Sequence, residues 1–130
     1  HVVASAPGGG TEGLYMAGGT RALYEETATA GQAAFIKKYK ERYGEFPTVG
    51  TQYAYMPTRI LIEALKKAGP DLTADKLVSA IETFDQFDDG IGTPLHSYSA
   101  TDHSGSDAVF LDQVQNGRLR GLEQRIDLMP

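Results

Sequence analysis

Apolar residues recur along this chain at two spacings, one helical and one suited to short strands. From Thr29 to Tyr43, Phe35, Ile36, Tyr39 and Tyr43 share one face at helical spacing, and Gly44 and Pro47 supply the stop. A second helix is predicted over 52–67, with Thr51 as its N-cap and Gly69-Pro70 closing it. Its inward face would be Tyr53, Met56, Ile60, Leu61, Ala64, Leu65 and Ala68. Pro57 has no N–H for the carbonyl of Tyr53 and crowds that turn, so a kink or a late start is expected there. The third helix, over 74–84, has Thr73 as N-cap, with Leu72 and Leu77 at staple positions. Leu77, Ile81 and Phe84 then line one face.

Strand-like runs fall between and after these segments. Leu14-Tyr15-Met16-Ala17 follows a Gly-rich loop at Pro7–Gly13, and Gly18-Gly19 ends it. An acidic, Gly-containing loop over Asp85–Gly92 precedes a short strand at Leu95–Ser99. Ala108–Val114 and Arg118–Leu122 flank Asn116-Gly117, a pair suited to the positive φ angles of a type I′ hairpin turn. Alternation of helices with short strands predicts a three-layer α/β/α arrangement.

Composition narrows the function classes. An apolar content of 41% is enough for one small core, and a net charge of −5 with dispersed basic residues argues against nucleic acid as partner. Lys37, Lys38, Lys40 and Arg42 do cluster, but Glu41 interrupts them and they read as a solvated helix face. The chain has no cysteine, so disulfides and thiolate metal sites are excluded. No run approaches the ~20 apolar residues of a membrane-spanning helix. His1-Val2-Val3-Ala4 lacks the basic start of a signal peptide, so a targeting segment is expected upstream. The start without Met reads as that of a truncated or processed product.

Four constellations bear on chemistry. Gly8, Gly10 and Gly13 satisfy G-x-G-x-x-G, but the following residues read as a strand where a phosphate loop needs a helix. His96, Asp102, His103 and Asp107 are residue types that bind divalent metal; alternatively, Asp102 and His103 cap a turn before Gly105. Ser97, Ser99, Ser104 and Ser106 lie near the two histidines without a nucleophile elbow, so no catalytic residue is assigned. The predicted helix start offers Thr51, Tyr53, Tyr55 and Met56, where free amides favour an anion and aromatic rings can wall an apolar ligand. For Tyr53 a core position is the competing reading.

The order of these elements carries a resemblance. Phe35-Ile36-Lys37-Lys38-Tyr39 leads to Tyr43-Gly44, then to Gln52-Tyr53-Ala54-Tyr55, a further helix, Gly90-Ile91-Gly92, Asp102-His103-Ser104-Gly105 and a final hairpin. It resembles the C-terminal portion of the solute-binding proteins of branched-chain amino acid type ABC transporters. Relatives often carry Gln where Ser104 stands, and many have Asp after the Ala-Tyr pair where this chain has Met56-Pro57.

The resemblance implies a type I periplasmic binding fold, two α/β lobes closing on a ligand, for which 130 residues are too few. It assigns 1–19 to the end of the C-terminal lobe and hinge. Residues 20–114 go mainly to a segment packing with the N-terminal lobe, and 115–130 to a final hairpin and tail. It further implies a bacterial periplasmic or extracytoplasmic location and a non-enzymatic, cofactor-free role. The partners would be a small amino acid or related acid or amide, the rest of its own two-lobed chain and a membrane permease. Thr51, Tyr53, Tyr55 and Met56 would be cleft wall, and the isolated chain would bind ligand weakly or not at all. Two alternatives stay open: a ligand-sensing regulatory domain of the same fold, and a His/Asp metal-assisted hydrolase.

Overall fold

The computed structural model describes residues 6–127. Helix α1 (Ala30–Tyr43) starts where predicted, because Thr29 and Gln32 form a reciprocal capping box. The Gln32 amide donates to the Thr29 hydroxyl at 3.3 Å, and the Thr29 amide donates to Gln32 Oε1 at 2.9 Å. Gly44, in the left-handed region, ends the helix.

Helix α2 (Val49–Ala68) begins earlier than predicted, and Pro57 lies inside it. Its N-cap is Thr48, whose hydroxyl accepts from the Thr51 amide at 3.3 Å, while the Thr48 amide donates to Thr51 Oγ1 at 3.2 Å. Thr51 is therefore the third helical residue. A Thr-x-x-Thr pair can cap reciprocally as Thr-x-x-Glu does, and that pair sets the start.

Helix α3 (Ala74–Ile81) has Thr73 as N-cap but ends sooner than predicted, closing through turns at Thr83 and Phe84. These two helices share the core. Ile60 and Ala64 of α2 meet Ala80 and Phe84, with Met56, Ala68, Leu77, Ile81, Phe87 and Tyr98 packed around them. The predicted inward face of α2 needs correcting. Tyr53, Leu61 and Leu65 are exposed, and Gln52, with 1% of its surface accessible, takes an inward place instead.

The strands form two antiparallel sheets among the described residues. Strand β1 (Tyr15–Gly18) pairs with β4 (Ala108–Gln115), which pairs with β5 (Arg118–Asp127). Asn116 at φ 54° and Gly117 at φ 70° make the predicted hairpin turn. The ladder shifts register between Phe110 and Asp112, so the hairpin carries a bulge. Strands β2 (Ser97–Ser99) and β3 (Asp102–Gly105) form a smaller hairpin. Asp102–Gly105, expected as a turn, is thus a returning strand.

The loop between α3 and β2 is fastened to α1. Gln32 Nε2 donates to the Ile91 carbonyl at 2.9 Å. A Cβ on Gly31 would lie 2.1 Å from the Gly90 carbonyl oxygen, so only glycine admits this approach.

Candidate functional site

The first turns of α2 carry all four residues proposed as cleft wall, and the helix sends them in three directions. The amides that the sequence reading left free are not free at Tyr53 or Tyr55, which lie inside the helix. The amides of those two residues are therefore not open to an anion. Tyr53 and Tyr55 are also two residues apart, about 200° around the helix axis, and so occupy opposite faces. One small ligand does not touch both.

Tyr53 projects toward the end of β1. Its hydroxyl accepts the Gly19 amide at 3.2 Å, while 48% of the residue stays exposed. The core reading of Tyr53 is overturned by that exposure. Beside it, Gln52 Oε1 accepts the buried Thr20 hydroxyl at 2.7 Å. The end of β1 and the start of α2 are thereby held together by one neutral pair and one aromatic hydroxyl.

Thr51 and Tyr55 face a different space, an open groove of about 650 Å³ between α1 and α2. Phe35, Tyr39, Tyr43 and Tyr55 line it together with Lys38, Arg42 and Arg59. The rings of Phe35 and Tyr55 lie 4.7 Å apart, as do those of Tyr39 and Tyr43, and Thr51 Oγ1 donates to the Tyr39 hydroxyl at 3.4 Å. Met56 joins neither site and packs on the α2–α3 core.

The His and Asp residues weighed as metal ligands are dispersed. His96 is buried, its ring parallel to that of Tyr98 at 6.4 Å, with neither ring nitrogen hydrogen-bonded. Burial holds its pKa below the usual 6.5 against the pull of Asp89. His103 pairs with Glu82 at 3.0 Å. Asp102 Oδ1 accepts the Ser104 hydroxyl at 2.6 Å and the Ser104 amide at 2.9 Å, which lowers the pKa of Asp102. Asp102 thus bonds local backbone as the capping alternative expected, but from within strand β3, and His103 does not share that role. Among the described residues, no three His, Cys, Asp or Glu side chains come together as a metal site. No described helix is long and apolar enough to cross a membrane.

Residues 1–118 match the protein family described as periplasmic binding protein. The chain belongs to the periplasmic binding protein family. Solved structures give the same fold. A branched-chain amino acid ABC transporter protein from Thermus thermophilus with bound valine superposes with a TM-score of 0.72 at 18% identity, over 92% of this chain and 34% of its own. A leucine-binding protein from Thermotoga maritima gives 0.66 at 21% identity, over 92% of this chain and 32% of its own. A solute-binding protein from R. palustris in complex with benzoate gives 0.66 at 20% identity, with the same coverage. The chain thus spans about a third of the length of the solved structures it matches. No curated protein matches it. The fold class is accordingly the type I α/β fold of these binding proteins.

Sequence reasoning missed Gln52, Thr20, Arg21, Asp112 and Gly121. One signal was available: a glycine within a strand, as at Gly121, marks a bulge or a close approach.

Proposed function

We propose that this chain forms part of a two-lobed extracytoplasmic binding protein that captures a branched-chain amino acid or a related small carboxylate or amide. The protein would then deliver its ligand to a membrane permease of the ABC type. In this reading residues 1–19 end the C-terminal lobe and enter the hinge, and 20–114 pack mainly with the N-terminal lobe. Residues 115–130 are the final hairpin and tail. Strand β4 continues across the last of these boundaries, so β1, β4 and β5 are read together as the crossing between lobes. The observation that carries the reading is the family match over residues 1–118. A run of exposed apolar residues on α2, Leu61, Ile62 and Leu65, supports packing against further chain.

The ligand wall proposed on α2 is the Tyr53 side. A ligand held between lobes lies beside the chain segments that cross them, and Tyr53 stands half-exposed where β1 ends. Its ring offers apolar surface and its hydroxyl offers a hydrogen-bonding oxygen. A second reading places the ligand against Thr51 and Tyr55, and the aromatic, basic-rimmed groove favours it. Met56 acts in either case by packing behind the wall.

Calorimetry of the two-lobed protein with L-leucine, L-valine and benzoate separates the two. On the Tyr53 reading, Tyr53→Ala weakens binding by about ten-fold, within the range of losing one buried contact, and Tyr55→Ala leaves it unchanged. The opposite pattern would move the site to the groove. Lys37→Ala, a change on an exposed side chain outside both sites, serves as the control. Loss of binding in neither tyrosine variant would remove α2 from the ligand wall. The isolated 130-residue chain is expected to bind these ligands weakly or not at all.

A further inference from the structure

Gly19, Thr20 and Arg21 are consecutive, yet they hold two different parts of the molecule. Gly19 and Thr20 are bound by Tyr53 and Gln52 of α2, as described above. Arg21 turns the other way, onto the β4–β5 hairpin. Its guanidinium carbon lies 4.7 Å from the centre of the Phe110 ring, and Nη2 donates to the Leu122 carbonyl of β5. Its Nε stands 3.7 Å from Asp112 Oδ1 on β4, an ion-pair separation too long for a hydrogen bond. Neither of these two buried atoms has a hydrogen-bond partner.

The hairpin is shaped to receive this side chain. Asp112 is paired directly with Gly121 beside the bulge. The backbone of Gly121 lies outside the left-handed region, so no turn requires glycine there. A Cβ at that position would stand 2.9 Å from the Arg21 guanidinium carbon and 3.0 Å from its Nε and Nη1. Glycine at 121 leaves the space that the guanidinium occupies. Farther along the same strap, the Leu119 amide donates to the Tyr24 hydroxyl at 3.1 Å, and Arg118 pairs with Glu26. The strap from Gly19 to Glu26 thus runs between the start of α2 and both strands of the hairpin.

We propose that Arg21 is a positioning residue that couples the Tyr53 side of α2 to the β4–β5 hairpin and so sets the resting angle between the two lobes. The proposal rests on reading β1, β4 and β5 as the lobe crossing. Arg21 reaches both strands because its guanidinium is forked, which a lysine ammonium cannot reproduce. The long Asp112 arm is the adjustable one: a small relative shift of the strap and β4 tightens or breaks it, while the Leu122 arm holds. A ligand that needs a particular lobe angle binds in proportion to how often the free protein adopts it.

The test uses the two-lobed protein with one dye on each lobe, following the inter-lobe distance without ligand and with saturating L-leucine. Removing the brace should widen the ligand-free distances toward open lobes and leave the leucine-bound distance unchanged. The effect should be graded, with Arg21→Lys smaller than Arg21→Met. Gly121→Ala, which keeps the arginine but fills its seat, should act like Arg21→Met. Affinity for L-leucine should fall about five-fold or more in the stronger variants, the lower end of coupling between sites. Variants that lose thermal stability but keep the wild-type ligand-free distances would overturn the proposal and leave Arg21 purely structural. A wild-type protein whose lobe distance ignores L-leucine would count against the ligand reading above. The ligand-free distances would still decide the role of Arg21.

Discussion

The α2–α3 pair coheres through Ile60, Ala64, Ala80 and Phe84, whereas the β4–β5 hairpin is gripped by Arg21, Tyr24 and Glu26 reaching across from one strap. The first kind of contact is non-directional and scales with the area removed from water. The second depends on where individual donors and acceptors sit, and a single N–H moved by an ångström loses its bond. The helical region should therefore respond to lost volume and tolerate swaps that conserve it. The strap should respond to changes in reach and geometry that alter almost no buried volume.

The sharpest way to break this contrast is Phe84→Ala. Phe84 is buried, lies 5.1 Å from the ring of Phe87 and sits under the Lys67 ammonium at 4.5 Å. Urea denaturation should show a loss of about 3–5 kcal/mol, the usual range for emptying a buried aromatic site. A loss no larger than that of a strap variant would erase the distinction.

A smaller effect separates the regions by pH. The folded-state pKa of His96 is depressed by burial, so below its ordinary value of 6.5 the unfolded chain takes up a proton more readily than the folded one. Stability from this residue is complete above that value and is lost as the pH falls through it, at no more than about 1.4 kcal/mol per pH unit. Asp112, beside the strap, has the reverse sign. Burial raises its pKa against the pull of Arg21, so its contribution is present in acid and lost as the pH climbs past the ordinary 3.8. His96→Phe, which keeps a ring against Tyr98, should flatten the dependence of the urea midpoint between about pH 7 and pH 5. An unchanged slope would assign that dependence to other groups.

Smallest is Tyr24→Phe, which removes the hydroxyl that accepts the Leu119 amide and leaves the ring in place. About 1 kcal/mol should be lost, the net worth of one hydrogen bond. Differential scanning fluorimetry would resolve this, and no change at all would mean that water replaces the hydroxyl without cost.

The same contrast explains what the sequence made legible. Helices α1 and α3 were readable because Thr29 and Thr73 cap them locally, and the hairpin because Asn116-Gly117 dictates its own turn. The start of α2 was misread because Thr48 and Thr51 both suit an N-cap, and only their reciprocal pairing decides between them. Its inward face was misread because Leu61 and Leu65 are as apolar as Ile60, while Gln52 looks like a surface residue until Thr20 supplies its partner. That partner lies 32 residues away, and the partner of Arg21 on β5 lies 101 away. Periodicity within one segment carries no trace of such pairings. Tyr53 was placed on the inward face and, with Tyr55, on one cleft wall; its exposure and the division of the two between different faces follow from the true phase of the helix.

The pairing of β1 with β4 also has a consequence in time. Gly13 and Gln113 touch at a sequence separation of 100, whereas β4 and β5 are joined by a two-residue turn and α2 meets α3 across a short loop. Contacts between near neighbours form with little loss of loop entropy, and distant ones wait until the chain between them is already compact. The hairpin and the helix pair are thus expected to assemble first, with β1 arriving last. The strap that follows β1 closes at that moment, so the spatial relation between α2 and the hairpin is set in the final step of folding.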